Sequence, residues 1–493
     1  MKKKIYTGLL IVCNLFLMSC DKFLDLKPKD QKVVSTIEDY RDIMASYMRL
    51  LKEYNIDQEK IFGIDAYTFP LFDVALNLGV YTGETNLSTN YSTVYDKANG
   101  KYTLNGKNML TWRMTDSYAW QRYYQFLGPI NLIISGIAEA DGTNEDLRNY
   151  VKGEALVWRA FSYFKLLQYY APYKDDIYGI PVYLTPEQDV GTAMPKRKTQ
   201  TEVFEQILDD CDEVLRLLEI TASNNWNCAY RYDFVCAMLA SIYTWKAMSG
   251  AAEDSDWVNA EKYASEAMSG KHLANSAEIL KTMFDSYNIR VIENDEFCFR
   301  IVSSSYTGIC DFSYAYYDGI VDGYVNSAYY NKFKSTDIRR VAWFSEDGAR
   351  SDKYSLLGRP TFGASYGCVI LFRLAEMYLI KAEALVRMGK VSEAQNVLRD
   401  FCDARYTEKE DIPADGETLL QAILDERMRE FYLENDFRWL DMKRLGVSVE
   451  RIVNGERYVL ESDDFRYCFP IPAEELELNK NMVQTPGWDQ IVL

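Results

Sequence analysis

Three sets of side chains in this sequence have the chemistry to form a site: carboxylates interleaved with arginines, a single imidazole, and a dense run of tyrosines. The carboxylates lie in ERMREFYLENDFRWLDMKR, residues 426–444. Two carboxylates about 5–10 Å apart across a sugar could act as acid and base in glycoside hydrolysis. Here Glu426, Arg429 and Glu430, then Glu434, Arg438 and Asp441, recur at three and four residues, so opposite charges share a helix face. With arginines that abundant, a structural ion-pair network is the better reading. The imidazole is His272, in MSGKHLA. Ser-His-Asp or Cys-His catalysis would have to converge on it alone. Its place after a helix-like segment suits a hydrogen bond or a dipole contact at a C-terminal turn.

The tyrosines are more telling. The chain has 38 of them, and YTGICDFSYAYYDGIVDGYVNSAYYNKF is the densest stretch. Sugar rings offer C–H faces to aromatic planes, and their hydroxyls seek Asn, Asp, Arg or backbone groups. Tyr306, Tyr314, Tyr316, Tyr317, Tyr324, Tyr329 and Tyr330 alternate with Asp311, Asp318, Asp322 and Asn326. Gly308, Gly319 and Gly323 let the chain pass close to a ligand. The competing reading is packing on a helical layer, each hydroxyl satisfied, and about half the set is expected to do that. EADGTNEDLRN, residues 139–149, gathers hard oxygen ligands but lacks the spacing of a calcium loop, so a loop with an N-cap is expected and no metal.

The N-terminus carries chemistry of another kind. Lys2, Lys3 and Lys4 precede an apolar stretch from Ile5 to Met18, too short to cross a bilayer and suited to a signal-peptide core. It ends Leu17-Met18-Ser19-Cys20, which resembles the lipobox of bacterial lipoproteins. That resemblance implies cleavage before Cys20, acylation of its thiol, and a lipid anchor in place of a membrane span.

Hydrophobic residues make up 48% of the 493 and charged residues 26%, so the chain can bury a large core. Formal charge is −18; without the three signal lysines, 52 basic groups face 73 acidic ones, −21. Such a surface disfavours nucleic acid and anionic lipid heads. Eight cysteines follow Cys20 with no C-x-x-C pair, which argues against zinc-ribbon and thioredoxin-type sites. Most stand in apolar, helical contexts and are expected to be buried and free.

The elements that must position these residues are helices in pairs. Apolar periodicity predicts helices over 117–137 and 147–170, over 201–219 and 232–248, and over 371–388 and 392–404. Thr201 is the expected N-cap of the third, and Gly389 suits the C′ position after the fifth. WVNAEKYASEAMSG opens a further unit. The pairs have the spacing of tetratricopeptide units scattered through one chain. Between them, residues 60–112 lack periodicity, DEFCFRIVSSS alternates like a strand, and 449–493 reads as an irregular tail. The fold class is therefore all-α, with helical hairpins, extended irregular loops and short strands. Its expected organisation is a signal peptide over 1–19, an N-terminal region over 20–270 and a C-terminal region over 271–493, the last two forming one compact unit.

Six stretches, in order, resemble the SusD/RagB family. They are CDKFLDLKP, GEALVWRAFSYFKLLQYYAP, FKSTDIRRVAWF, FRLAEMYLIKAEALVRMGKVSEAQNVLRDFCDAR, ILDERMREFYLENDFRWLDMKRLG and FPIPAEELELNKNMVQTPGW. In the last, Asn479-Lys480 stands where the family has Asn-Pro, and Gln484-Thr485 where it has Gln-Asn. The resemblance implies a lipid-anchored outer-membrane protein, facing the cell surface, that binds glycan without cleaving it. Its implied partner is a SusC-like TonB-dependent transporter; no cofactor is implied. The same resemblance adds the earlier irregular segment to the ligand face, and with it Tyr81, Asn86, Asn90, Tyr91 and Trp112. Trp343, after the Asp337–Arg340 block, could stack on a ring or anchor the core. Two rivals share the architecture: a peptide-capturing relative, and an assembly scaffold with no small ligand.

Overall fold

The computed structural model describes residues 34–50, 62–64, 82, 84–87, 111–112, 118–189, 194–222, 229–283, 296–303, 321–325, 327–348, 351, 353, 367–434, 436–453 and 456–490. The fold is all-α. In chain order the helices are α1 (Ile37–Tyr47), α2 (Tyr118–Gly136), α3 (Glu145–Tyr170), α4 (Gln200–Ile220), α5 (Tyr232–Lys246), α6 (Asp256–Met268) and α7 (Ala277–Thr282). The second half adds α8 (Ser327–Tyr330), α9 (Ile338–Trp343), α10 (Leu374–Arg387), α11 (Val391–Asp403), α12 (Gly416–Glu430), α13 (Phe437–Leu445) and α14 (Ala473–Leu478). The strands are short: β1 (Met48–Leu50), β2 (Phe62–Ile64), β3 (Thr85–Leu87), β4 (Phe297–Ser303), β5 (Val321–Val325), β6 (Gly367–Arg373), β7 (Val449–Val453) and β8 (Glu456–Leu460). They pair antiparallel as β1–β2, β3–β5, β4–β6 and β7–β8.

α3 is the central helix. From Ala155 to Phe164 every side chain is buried, polar ones included, as befits a helix enclosed on all sides. It packs on α2 and α4, while α5 and α6 pack on each other and on α10. One apolar core therefore runs unbroken across residues 270 and 271, from Ile37 to Met482. A second cluster fills the space between α10, α11 and α12. α11 shows the pattern plainly: Ala394, Leu398, Phe401 and Cys402 form its buried stripe.

Local signals set the helix ends. Asn144 caps α3 by accepting from the Leu147 N–H at 3.1 Å. Thr199, not Thr201, caps α4: its hydroxyl accepts from the Glu202 N–H at 3.1 Å and the Glu202 carboxylate accepts from the Thr199 N–H at 2.9 Å, a reciprocal capping box. Thr201 is inside the helix, and its backbone and hydroxyl both donate to Asp176. Gly389 takes φ +76° after α10, donating to Val386 O, while Lys390 N–H reaches Leu385 O, the paired bonds of a Schellman turn.

Two expectations are corrected. Residues 371–373 are the end of β6, not the start of a helix; their pairing with β4 overrides helical periodicity there. The stretch expected as an irregular tail contains the β7–β8 hairpin, in register from Val449↔Leu460 to Val453↔Glu456. VERIVNGERYVL carries the signal for it, since alternating β-formers flank an Asn454-Gly455 dipeptide.

Candidate functional site

The arginine–carboxylate segment forms a buried ionic core. Arg339 donates to Asp337 at 2.8 Å, Glu426 at 2.7 Å and Glu430 at 3.0 Å. Arg405 joins Glu430 at 2.9 Å and Glu296 at 2.8 Å. Arg373 joins Glu296, Glu430 and Glu434, and Lys353 donates to Glu434 at 3.0 Å. A second cluster links Arg427 to Asp441 and Glu376, and Arg444 to Asp441 and Glu383. Burial pushes the Glu426 carboxyl up, but Arg339 and Arg429 outweigh it and hold it down at about 2. Burial likewise raises Glu430, and Arg405 and Arg373 hold it well below the usual carboxylate range. Glu426 and Glu430, enclosed by guanidinium groups, have the environment of structural ion pairs and not that of a proton donor. The structural reading of this segment is the correct one.

On this core stands a two-stranded ribbon. Thr85 pairs with Val325 and Leu87 with Val321, so β3 and β5 bring together the two sequence segments expected to carry the ligand face. Asn86 lies within β3 and Tyr324 within β5. Both strands are tied to the turn after α12. Beside β3, buried Glu84 accepts from the Leu433 N–H at 3.2 Å and from the Thr82 hydroxyl at 2.8 Å. After β5, the Tyr329 hydroxyl donates to Met428 O at 2.5 Å, and its ring lies 5.0 Å from that of Tyr432. Leu433 has φ +52°, a left-handed conformation unusual for a leucine and costing about 1 kcal/mol or more. Burial drives the Glu84 carboxyl up, while Arg438 and the bonds from Thr82 and Leu433 pull it down; the net shift is upward.

Three expected ligand contacts belong to the core instead. Trp112 is fully buried, its ring centroid 4.7 Å from the Arg451 guanidinium carbon and 5.9 Å from that of Arg466. Trp343 is fully buried, with Nε1 donating to Leu280 O at 3.3 Å and the Lys353 ammonium 4.0 Å from its ring centroid. Tyr329 is 6% exposed and spends its proton on a backbone carbonyl. Each has its plane or hydroxyl engaged by the protein, leaving no face for a sugar. Tyr330 is half-buried, covered by Arg340 at 4.4 Å, whose Nε donates to its hydroxyl. Cys20, Tyr81, Asn90, Tyr91, Tyr314, Tyr316, Tyr317 and Asn326 lie outside the described residues. Glu84 and Leu433 were not foreseen: their link joins residues far apart in sequence and carries no periodic signal.

Other groups resolve simply. His272 is exposed and lies beyond the end of α6, in the loop after Ser269. The loop at 139–149 is held by a guanidinium, as Arg148 gathers the carbonyls of Ala138, Ala140 and Gly142 and that of Ile137. Cys211, Cys236, Cys402 and Cys468 are buried and free. A cleft of about 570 Å³ opens between α1, α2, the segment at 183–186 and Glu475 of α14, walled by Ile43, Tyr124, Leu132 and Pro186. Among the described residues no helix is long and apolar enough to cross a membrane.

The all-α fold resembles that of solved SusD-superfamily structures. Residues 22–244 match the family model described as starch-binding associating with outer membrane, and residues 311–488 match that of the SusD family. The chain belongs to the SusD/RagB family. A SusD-like protein of Formosa agariphila is 24% identical over 496 residues, covering 90% of this chain and 92% of that one. The starch-binding protein SusD of Bacteroides thetaiotaomicron is 32% identical over 143 residues, 27% of this chain and 24% of its own. Of solved structures, a SusD-like carbohydrate binding protein from Bacteroides vulgatus superposes with a TM-score of 0.65 at 20% identity, over 93% of this chain and 99% of that one. A SusD homolog from Bacteroides thetaiotaomicron gives 0.63 at 16% identity, over 92% and 97%.

Proposed function

We propose that this protein captures an oligosaccharide or polysaccharide and passes it to a SusC-like TonB-dependent transporter in the outer membrane. Acylated Cys20 holds it to that membrane, facing outward. The observation that carries the reading is the β3–β5 pairing, which sets Thr85–Leu87 beside Val321–Val325, strands drawn from the two segments that the sequence shows to be rich in tyrosine and asparagine. The family's description as starch-binding and outer-membrane-associated supports the same assignment. The protein acts by binding alone, since the carboxylates best placed by sequence for acid–base work are locked to arginines. Residues 20–270 and 271–493 work as one unit, consistent with α6 packing on α10 across that boundary. Tyr314, Tyr316, Tyr317 and Tyr324, with Tyr81, Asn86, Asn90, Tyr91 and Asn326, supply the stacking planes and hydrogen bonds.

The test is a binding screen of the soluble chain, starting after Cys20, against polysaccharides and peptides side by side. Saturable binding to one polysaccharide, weakened when Tyr314, Tyr316, Tyr317 and Tyr324 become alanine, supports the assignment. Binding to peptides alone would replace it with the peptide-capturing alternative. Silence on both panels, repeated with the transporter present, would leave a scaffold.

A further inference from the structure

We infer that Glu84 and Tyr329 are the positioning residues of the ligand face, pinning its two strands to one turn at the end of α12. The inference rests on the reading above and says how that face is held.

β3 and β5 are short strands from distant parts of the chain, and a two-stranded ribbon alone has marginal stability in water. Something must fix it against the scaffold. Glu84 directly precedes Thr85, the first residue of β3, and its carboxylate accepts from the Leu433 N–H. Tyr329 lies four residues beyond Val325, the last residue of β5, and its hydroxyl donates to Met428 O. Met428 and Leu433 bracket the turn that closes α12, and Glu430 and Glu434 in that same stretch are held by Arg373. The two tethers therefore reach one rigid turn, from adjacent ends of the paired strands: Thr85 is the partner of Val325. The two side chains also lie close enough for each to raise or lower the other's proton affinity. Arg438 faces this carboxyl from α13, and Tyr432 lies against the Tyr329 ring.

Both tethers are buried, Glu84 at 2% and Tyr329 at 6% exposure, so neither contacts a ligand directly. Their effect on binding is through the population of the competent ribbon. If loss of a tether leaves the ribbon correctly placed only a tenth of the time, affinity falls about tenfold.

The experiment compares Glu84→Ala, Glu84→Gln and Tyr329→Phe with the wild type, in the chain starting after Cys20. Hydrogen exchange is followed in peptides spanning 82–87, 321–325 and α5, alongside affinity for the polysaccharide selected by the screen. Glu84→Ala and Tyr329→Phe are expected to speed exchange in both strands, leave α5 protected, and weaken binding about tenfold. Glu84→Gln keeps an oxygen for the Leu433 N–H and is expected to restore most of both. Unchanged exchange in the strands overturns the inference whether or not a ligand is known. Exchange that rises equally in α5 also overturns it, because the residues would then serve global stability only. Faster strand exchange in a protein whose wild type binds no saccharide would uphold the tethers and sink the glycan reading.

Discussion

Arg373 and Glu434 meet through two parallel hydrogen bonds, Nε to Oε1 at 2.7 Å and Nη2 to Oε2 at 2.9 Å, with both side chains closed off from water. One ends β6 and the other follows the turn after α12, so the pair joins a strand to the link between α12 and α13 through a fork-to-fork contact. A buried charge whose partner is removed loses attraction without regaining water. Glu434→Ala is therefore expected to destabilise the protein by ~3–5 kcal/mol in urea denaturation, since Arg373 and Lys353 both lose a carboxylate. Arg457→Ala, which breaks an exposed pair with Glu450, is expected to leave the midpoint unmoved. Equal effects from the two would contradict this account of the ionic core.

Acid should loosen the same core within a defined window. Glu426 has its folded pKa depressed to about 2, so its contribution is present above the ordinary carboxylate value and lost as pH falls toward about 2. The stability gap between wild type and Glu426→Gln should be constant from pH 7 down to about 5 and then narrow. Denaturation series at several pH values would measure it, and a gap that does not change with pH would refute the assignment.

Gly389 offers a clean reading of backbone strain. A Cβ added there meets nothing within 4 Å, yet φ is +76°. Gly389→Ala should cost about 1 kcal/mol in thermal unfolding, from the left-handed conformation alone. An unchanged melting temperature would mean that the Schellman turn relaxes around the methyl.

Cys211, Cys236, Cys402 and Cys468 should resist thiol reagents in the native protein and react once it is unfolded. Burial pushes the Cys236 thiol up to about 12 and raises Cys211 well above the ordinary range. Stoichiometric labelling of these four under native conditions, followed by mass spectrometry of peptides, would show that the helices around them open.

Much of the scaffold was legible in the sequence, because helices announce themselves locally. The apolar stripes of α2 to α5, the glycine after α10 and the three- and four-residue charge spacing in α12 and α13 all act within a turn or two. The proposed ligand face was not legible in the same way. An aromatic residue shows its type but not its neighbours, so Trp112, Trp343 and Tyr329 read as sugar-stacking candidates until their cationic and carbonyl partners, remote in sequence, are seen. The same holds for the cap of α4: Thr199 and Thr201 are equally good caps by type, and the reciprocal bond from Glu202 decides between them. The β7–β8 hairpin differs, since its Asn454-Gly455 signal is local and stands in the sequence, ahead of the prolines at 470, 472 and 486 in the irregular remainder of the tail.

The pairing of β3 with β5 also sets an order of events during folding. Its partners come from opposite halves of the chain, and closing so long a loop must wait until other contacts have shortened it. Helices α2 to α5 pack through neighbours in sequence and can form early. A chain arrested before residue 321 would hold those helices but lack the second strand of the ribbon. On the proposed reading, ligand capture is thus acquired late in folding, and an incompletely folded molecule lacks the ribbon through which it would bind.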